Sequence, residues 1–149
     1  LRERPKTRSA TVTSKETSSG TVHVTLTYDD NHNLCESFIE IGKAGSDLKA
    51  DAEAIGRLIS LIFRLNGNTT NRQRAEAIVQ QLIGIGGSNA LGFGPNKVKS
   101  LPDAVAQIIA QTEALTVDGG LDVCPSCHNT TLQYVEGCTK CDGCGYSAC

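Results

Sequence analysis

Residues Thr21–Gly42 read TVHVTLTYDDNHNLCESFIEIG, and this stretch decides the fold class. Val22, Val24, Leu26 and Tyr28 alternate with His23, Thr25 and Thr27, the period-two pattern of a strand with one buried face. DDNHN is turn chemistry, because short Asp and Asn side chains bond the backbone locally and tolerate left-handed geometry. LCESFIEIG then reads as a returning strand, with Cys35, Phe38 and Ile41 as its candidates for burial. Together they predict an antiparallel hairpin. Cys35 reads as a small buried hydrophobe, His23 as a solvent-face residue and His32 as a turn residue.

Helices follow the hairpin. GKAGS (Gly42–Ser46) leads into a helix capped by Ser46 or Asp47, along which Leu48, Ala52, Ile55, Leu58, Ile59, Ile62 and Phe63 recur at helical spacing. The glycines and lysine of GKAGS do not make a nucleotide phosphate loop. That motif needs Gly-Lys followed at once by Ser or Thr, after an earlier glycine. A second helix is predicted through RQRAEAIVQQLIGIGG (72–87), with Ala75, Ile78, Val79 and Leu82 inward. A third runs through SLPDAVAQIIAQTEAL (100–115), with Ser100 as N-cap, Pro102 in the first turn and Val105, Ile108, Ile109 and Leu115 facing the core. The expectation is an α+β body, a hairpin on about three helices, over residues 21–116.

Residues 1–20 (LRERPKTRSATVTSKETSSG) carry little apolar surface and are expected to be a flexible linker from an upstream domain. The chain has 149 residues, no methionine and a leucine at position 1, so it is expected to be part of a longer protein. A net charge of −2 argues against a nucleic-acid-binding domain. No apolar run approaches the roughly 18 residues that span a bilayer, so neither nucleic acid nor membrane is an expected partner.

The last 33 residues, 117–149, form a separate module. Cys124, Cys127, Cys138, Cys141, Cys144 and Cys149 stand in its final stretch, leaving only Cys35 elsewhere. Clustering in Cys-x2-Cys pairs indicates metal or redox chemistry in a reducing cytoplasm, not a secreted disulfide framework. Cys-Pro-Ser-Cys (124–127) and a second Cys-x2-Cys, separated by a strand in LQYVEG, make a zinc-ribbon pattern: each turn offers two thiolates and a hairpin brings the turns together.

Four thiolates suffice for zinc, and two readings of the second half remain open. In the first, Cys141 and Cys144 complete the set with Cys124 and Cys127, because Gly145 and Tyr146 suit a tight knuckle with N–H groups aimed at sulfur. Cys138 and Cys149 are then left over. In the second, Cys138 and Cys141 are ligands and Cys144 takes the place of Cys138 beside Cys149. His128 is not expected to be a ligand. Two thiols near a chain end suit thiol–disulfide exchange. A ribbon of the transcription-factor type would need a basic face. Here Val117–Cys149 has Lys140 against Asp118, Asp122, Glu136 and Asp142, a net of 1 − 4 = −3.

The ending EGCTKCDGCGYSAC (136–149) resembles the cysteine-rich C-terminus of class II, adenosylcobalamin (vitamin B12)-dependent ribonucleotide reductases. RERPKT, TVHVTLTYDD, ESFIEIGKAGS, AEAIGRLISL, IVQQLIGIGG and SLPDA resemble the region that follows the catalytic barrel in that family. The resemblance implies an oxidoreductase of deoxyribonucleotide biosynthesis and DNA synthesis, acting on ribonucleoside di- or triphosphates. It implies that a cysteine pair here, Cys138 and Cys149, re-reduces the active-site disulfide after each turnover. The implied partners are the catalytic domain of the same or a neighbouring subunit, an external dithiol reductant and further copies of the chain. Adenosylcobalamin would bind elsewhere in the parent enzyme, and this portion alone is expected to be inactive. The family often carries Ser-Cys-Pro-Asp where this chain has Ser100-Leu101-Pro102-Asp103, and further cysteines near Gly86-Gly87, so no redox or metal role is expected there. The competing expectation is a structural zinc-ribbon assembly domain without redox function.

Overall fold

A computed structural model of the chain describes residues 1–42, 44–86, 90–92, 97–115, 124–128, 132–135, 138–141 and 143–148, without the side chains of 133–135. The fold is α+β. Three strands, β1 (Ser9–Thr17), β2 (Gly20–Tyr28) and β3 (Leu34–Glu40), form an antiparallel sheet in the order β1-β2-β3. Three helices follow: α1 (Asp47–Arg64), α2 (Asn71–Leu82) and α3 (Leu101–Thr112). α1 lies against β3, α3 against β1 and β2, and α2 against α3 and α1.

The expected hairpin is β2-β3, turned at Asp29–Asn33. There Asp29 Oδ1 accepts from the N–H groups of Asn31 and Asn33, each at 2.9 Å. His32 adopts φ 61° and stacks on Tyr28, with ring centroids 4.5 Å apart. Val22, Val24, Leu26, Tyr28, Ile39 and Ile41 face the helices and meet Ala52, Ile59, Phe63, Ala75, Val79, Val105 and Ile109 in one core. Cys35 is buried, as expected.

Phe38 is not. It pairs with Thr25 on the opposite face of the sheet and is 48% exposed. Side chains at 35, 38 and 41 cannot share a face of a strand with period two, and Ile39 takes the inward place. On α1, Leu58 and Ile62 likewise lie outward, at 60% and 36% exposure, because the helix is covered on one side only.

A second correction concerns residues 1–20. They are not a flexible linker: Ser9–Thr17 pairs along its whole length with Gly20–Tyr28 as an edge strand. Backbone bonds to β2 order a segment whose exposed side chains have no need to be apolar. Further in, Arg4 and Arg8 both reach the carboxylate of Glu36, whose side chain is 1% exposed, and Thr27 Oγ1 donates to the same carboxylate at 3.3 Å. Arg2 donates to the Phe63 carbonyl and to Asn71 Oδ1, tying the first residues to the end of α1.

Polar side chains hold the elements in place. Ser46, Thr70 and Ser100 cap α1, α2 and α3, and Thr70 forms a capping box with Gln73. Ser60 Oγ accepts from Ser37 N at 2.9 Å and donates to Ser37 O at 3.1 Å, so α1 satisfies edge groups of β3. The approach is close: a Cβ on Gly56 would lie 3.1 Å from Ser37 O. Arg74 donates to the carbonyls of Ile62, Phe63 and Leu65, closing the C-terminus of α1. Asp103 is buried at the start of α3. It accepts from Gly84 N and Lys99 N, each at 2.8 Å, and from Gln107 at 3.1 Å, tying the end of α2 to α3.

Candidate metal centre

The C-terminal module is a second antiparallel sheet of three short strands, β4 (Leu132–Val135), β5 (Cys138–Cys141) and β6 (Ser147–Ala148), in the order β4-β5-β6. Leu132 pairs with Cys141 and Val135 with Cys138, the hairpin expected from LQYVEG. A sheet of so few, short strands is marginal on its own in water, and small modules usually rely on a further staple.

Beside the sheet stands a cluster of sulfur. Cys124 and Cys127 lie on the turn before β4, Cys141 ends β5 and Cys144 lies on the turn before β6. Their four Sγ atoms all lie within 4.8 Å of one another. Cys124 and Cys144 approach to 3.7 Å, as do Cys127 and Cys141. Zinc–sulfur bonds of about 2.3 Å in a tetrahedron set the sulfurs about 3.8 Å apart, so this donor set fits zinc. Among the described residues it is the only such grouping of three or more candidate ligands.

The turns present the sulfurs by donating N–H groups to them. Ser126 N lies 3.4 Å from Cys124 Sγ, while Gly143 N and Cys144 N lie 3.3 and 3.4 Å from Cys141 Sγ. Gly145 turns the chain at φ 79°, a left-handed conformation that favours glycine, and its N–H closes on the Cys141 carbonyl at 3.1 Å. The Tyr146 N–H also reaches Cys144 and lowers its pKa. Desolvation and the neighbouring sulfurs of Cys141, Cys124 and Cys127 outweigh it, and the thiol is pushed up to about 11. Thiols bind a metal ion as thiolates, which couples metal binding to proton release.

Of the expected site residues, the structure brings Cys124, Cys127, Cys141 and Cys144 together. Cys138 is apart from the cluster and is disulfide-bonded, whereas the other five described cysteines are thiols. Cys149 lies outside the described residues. His128 has φ 62°, donates its backbone N–H to the Cys124 carbonyl at 2.9 Å and is not one of the clustered groups. The Ser-Leu-Pro-Asp stretch is structural: Ser100 caps α3, Leu101 joins the core and Asp103 clamps two loops. Sequence reasoning missed Glu36 with Arg4 and Arg8. The available signal was a glutamate between apolar and small residues of the strand, downstream of an arginine-rich segment.

No helix among the described residues is long and apolar enough to cross a membrane. No curated protein and no solved structure matches the chain. A family model for the TSCPD domain matches residues 1–113, the three-stranded sheet with its helices up to the end of α3, and stops short of the cysteine ribbon. The chain therefore belongs to the TSCPD-domain family, a domain found in class II ribonucleotide reductases and related proteins.

Proposed function

We propose that this chain is the C-terminal portion of an adenosylcobalamin-dependent ribonucleotide reductase, and that its cysteine ribbon carries electrons to the catalytic site. The observation that carries the reading is the division of labour among the cysteines. Four thiols cluster in a zinc-like geometry, while Cys138, three residues before Cys141, is held in a disulfide. Zinc would be held by Cys124, Cys127, Cys141 and Cys144 and would supply folding free energy to a module without a core. Cys138 and Cys149 form the exchanging pair. In the reduced state one of them attacks the active-site disulfide of the catalytic domain and the other resolves the mixed disulfide. The active-site cysteines return to thiols, and an external dithiol reductant then restores the pair. Cobalamin belongs to the catalytic domain, in the same or a neighbouring subunit of the assembly.

The test is brief alkylation of the reduced, zinc-loaded protein, with peptide mass spectrometry and zinc analysis. One zinc per chain with rapid labelling of Cys138 and Cys149 supports the shuttle. Rapid labelling of Cys144 and Cys149 with Cys138 protected reverses the assignment of ligands. Protection of all six makes the ribbon a structural assembly module and ends the redox reading.

A further inference from the structure

The four clustered cysteines are not equivalent. Cys124 is 0% exposed and Cys141 4%, Cys127 is intermediate and Cys144 is exposed. A thiolate must be reachable in line with the S–S bond it attacks, so Cys144 is the corner of the cluster open to attack chemistry. Cys144 Sγ lies 3.7 Å from Cys124 Sγ, which stands on the other turn of the ribbon. The other close pair, Cys127 with Cys141, also joins the two turns, but Cys141 is buried and accepts two N–H groups.

We infer that the cluster is a redox-sensitive metal switch that opens through a Cys124–Cys144 disulfide. The inference rests on the reading of the cluster as a zinc site. Its oxidant is a low-molecular-weight disulfide. The Cys144 thiolate attacks one sulfur of that disulfide, forming a mixed disulfide and expelling one thiolate. The Cys124 thiolate then attacks the Cys144 sulfur and expels the second. Two electrons pass from the cysteine pair to the small disulfide, which leaves as two thiols. Cys124, shielded from solvent, acts only as the resolving group. The new bond withdraws one ligand from each turn, and Cys127 and Cys141 alone do not make a four-coordinate site. Cys138 is disulfide-bonded in this structure and stands outside the cluster, so once reduced its reaction with the same oxidant is read at its own sulfur and not as part of the switch. The device would tie the fold of the ribbon to the state of the thiol pool that feeds it.

The experiment uses the full chain loaded with zinc and challenged with oxidised glutathione. A chromogenic chelator follows zinc release, and tandem mass spectrometry of quenched digests maps the sulfurs. Expected is a glutathione adduct on Cys144 that forms about tenfold faster than any on Cys127. One zinc is then released for each Cys124–Cys144 disulfide. In the Cys124→Ser variant the Cys144 adduct should accumulate instead of resolving. Zinc release through a Cys124–Cys127 or Cys141–Cys144 disulfide, first attack at Cys127, or retention of zinc overturns the switch and leaves the zinc reading standing. Absence of zinc from the reduced protein before oxidant is added overturns the zinc reading itself.

Discussion

Asp103 offers the sharpest test of how the TSCPD fold is held together. It is 3% exposed, and its two oxygens accept backbone N–H groups from Gly84 and Lys99, each at 2.8 Å, with Gln107 adding a third donor at 3.1 Å. It also stands in the first turn of α3, where a negative charge meets the positive end of the helix dipole. Asp103→Asn keeps the volume but removes the charge and turns an NH2 group toward one of the two N–H donors. Losing one charge-assisted bond and leaving its donor poorly solvated costs about 2–3 kcal/mol. Asp103→Ala strips both backbone donors and should cost about 3–5 kcal/mol. With roughly 3–5 °C per kcal/mol for a body of this size, the Asn variant should melt about 10 °C lower. The assay is urea unfolding followed by circular dichroism, with melting curves beside it. The midpoint should fall while its slope stays the same, since the clamp is a native-state contact. A loss under about 0.5 kcal/mol for Asp103→Asn would refute the claim that this carboxylate ties α2 to α3, because an exposed, replaceable acid behaves in that way.

Three further outcomes follow from the same contacts. Chelating the metal at neutral pH, or acidifying to about pH 5 so that protons compete for the thiolates, should unfold residues 124–148 and leave the body folded. Amide NMR signals of β4–β6 would collapse while those of β1–β3 persist, and signals that all persist would sink the zinc account. Gly56→Ala adds about 1 kcal/mol of helix propensity but puts a methyl 3.1 Å from Ser37 O and 3.4 Å from Ile39 N, both backbone atoms of β3. A net loss of about 1 kcal/mol is expected, and a stabilised variant would show that α1 shifts freely on the sheet. Burial raises the pKa of Cys35 above 9.0 and that of Tyr28 above 10.0, with Glu36 and Glu113 adding to the shifts. The stability these groups contribute is complete below their unfolded values and is lost as pH rises through the folded ones. Melting temperature should therefore hold to about pH 9 and fall above it, and a melting temperature that rises between pH 9 and 11 would contradict the sign.

Much of the fold could be read directly. Alternation in TVHVTLTY, the Asp-Asn turn and the caps Ser46 and Ser100 are local features, and each acts through residues a few positions away. Thr70 and Gln73 carry the same kind of signal, and they begin α2 one residue before the helix expected at Arg72. The misreadings were of another kind. Ser9–Thr17 carries Val12 as its one large aliphatic residue and offers no apolar face, because an edge strand needs backbone partners more than buried side chains. Phe38 was placed inside on hydrophobicity, although the period of the strand puts it on the face no helix covers.

The sequence by itself determined the element types from β2 to α3, the inward residues of β2, α2 and α3 and the concentration of cysteines in the last residues, since all of these follow from periodicity and spacing. It could not choose among three evenly spaced cysteines, because Cys138, Cys141 and Cys144 differ by a constant interval and present the same local pattern. The tertiary structure brings Cys141 and Cys144, and not Cys138, beside Cys124 and Cys127. Pairing Cys138 with Val135 sets it at the far end of β5, and the turn after Cys141 swings Cys144 back to 3.7 Å from Cys124. The same holds for Glu36, which needs Arg4 and Arg8 from a segment some thirty residues earlier to make its burial tolerable. Contacts between distant residues depend on how the chain closes in three dimensions, and no local spacing encodes that closure.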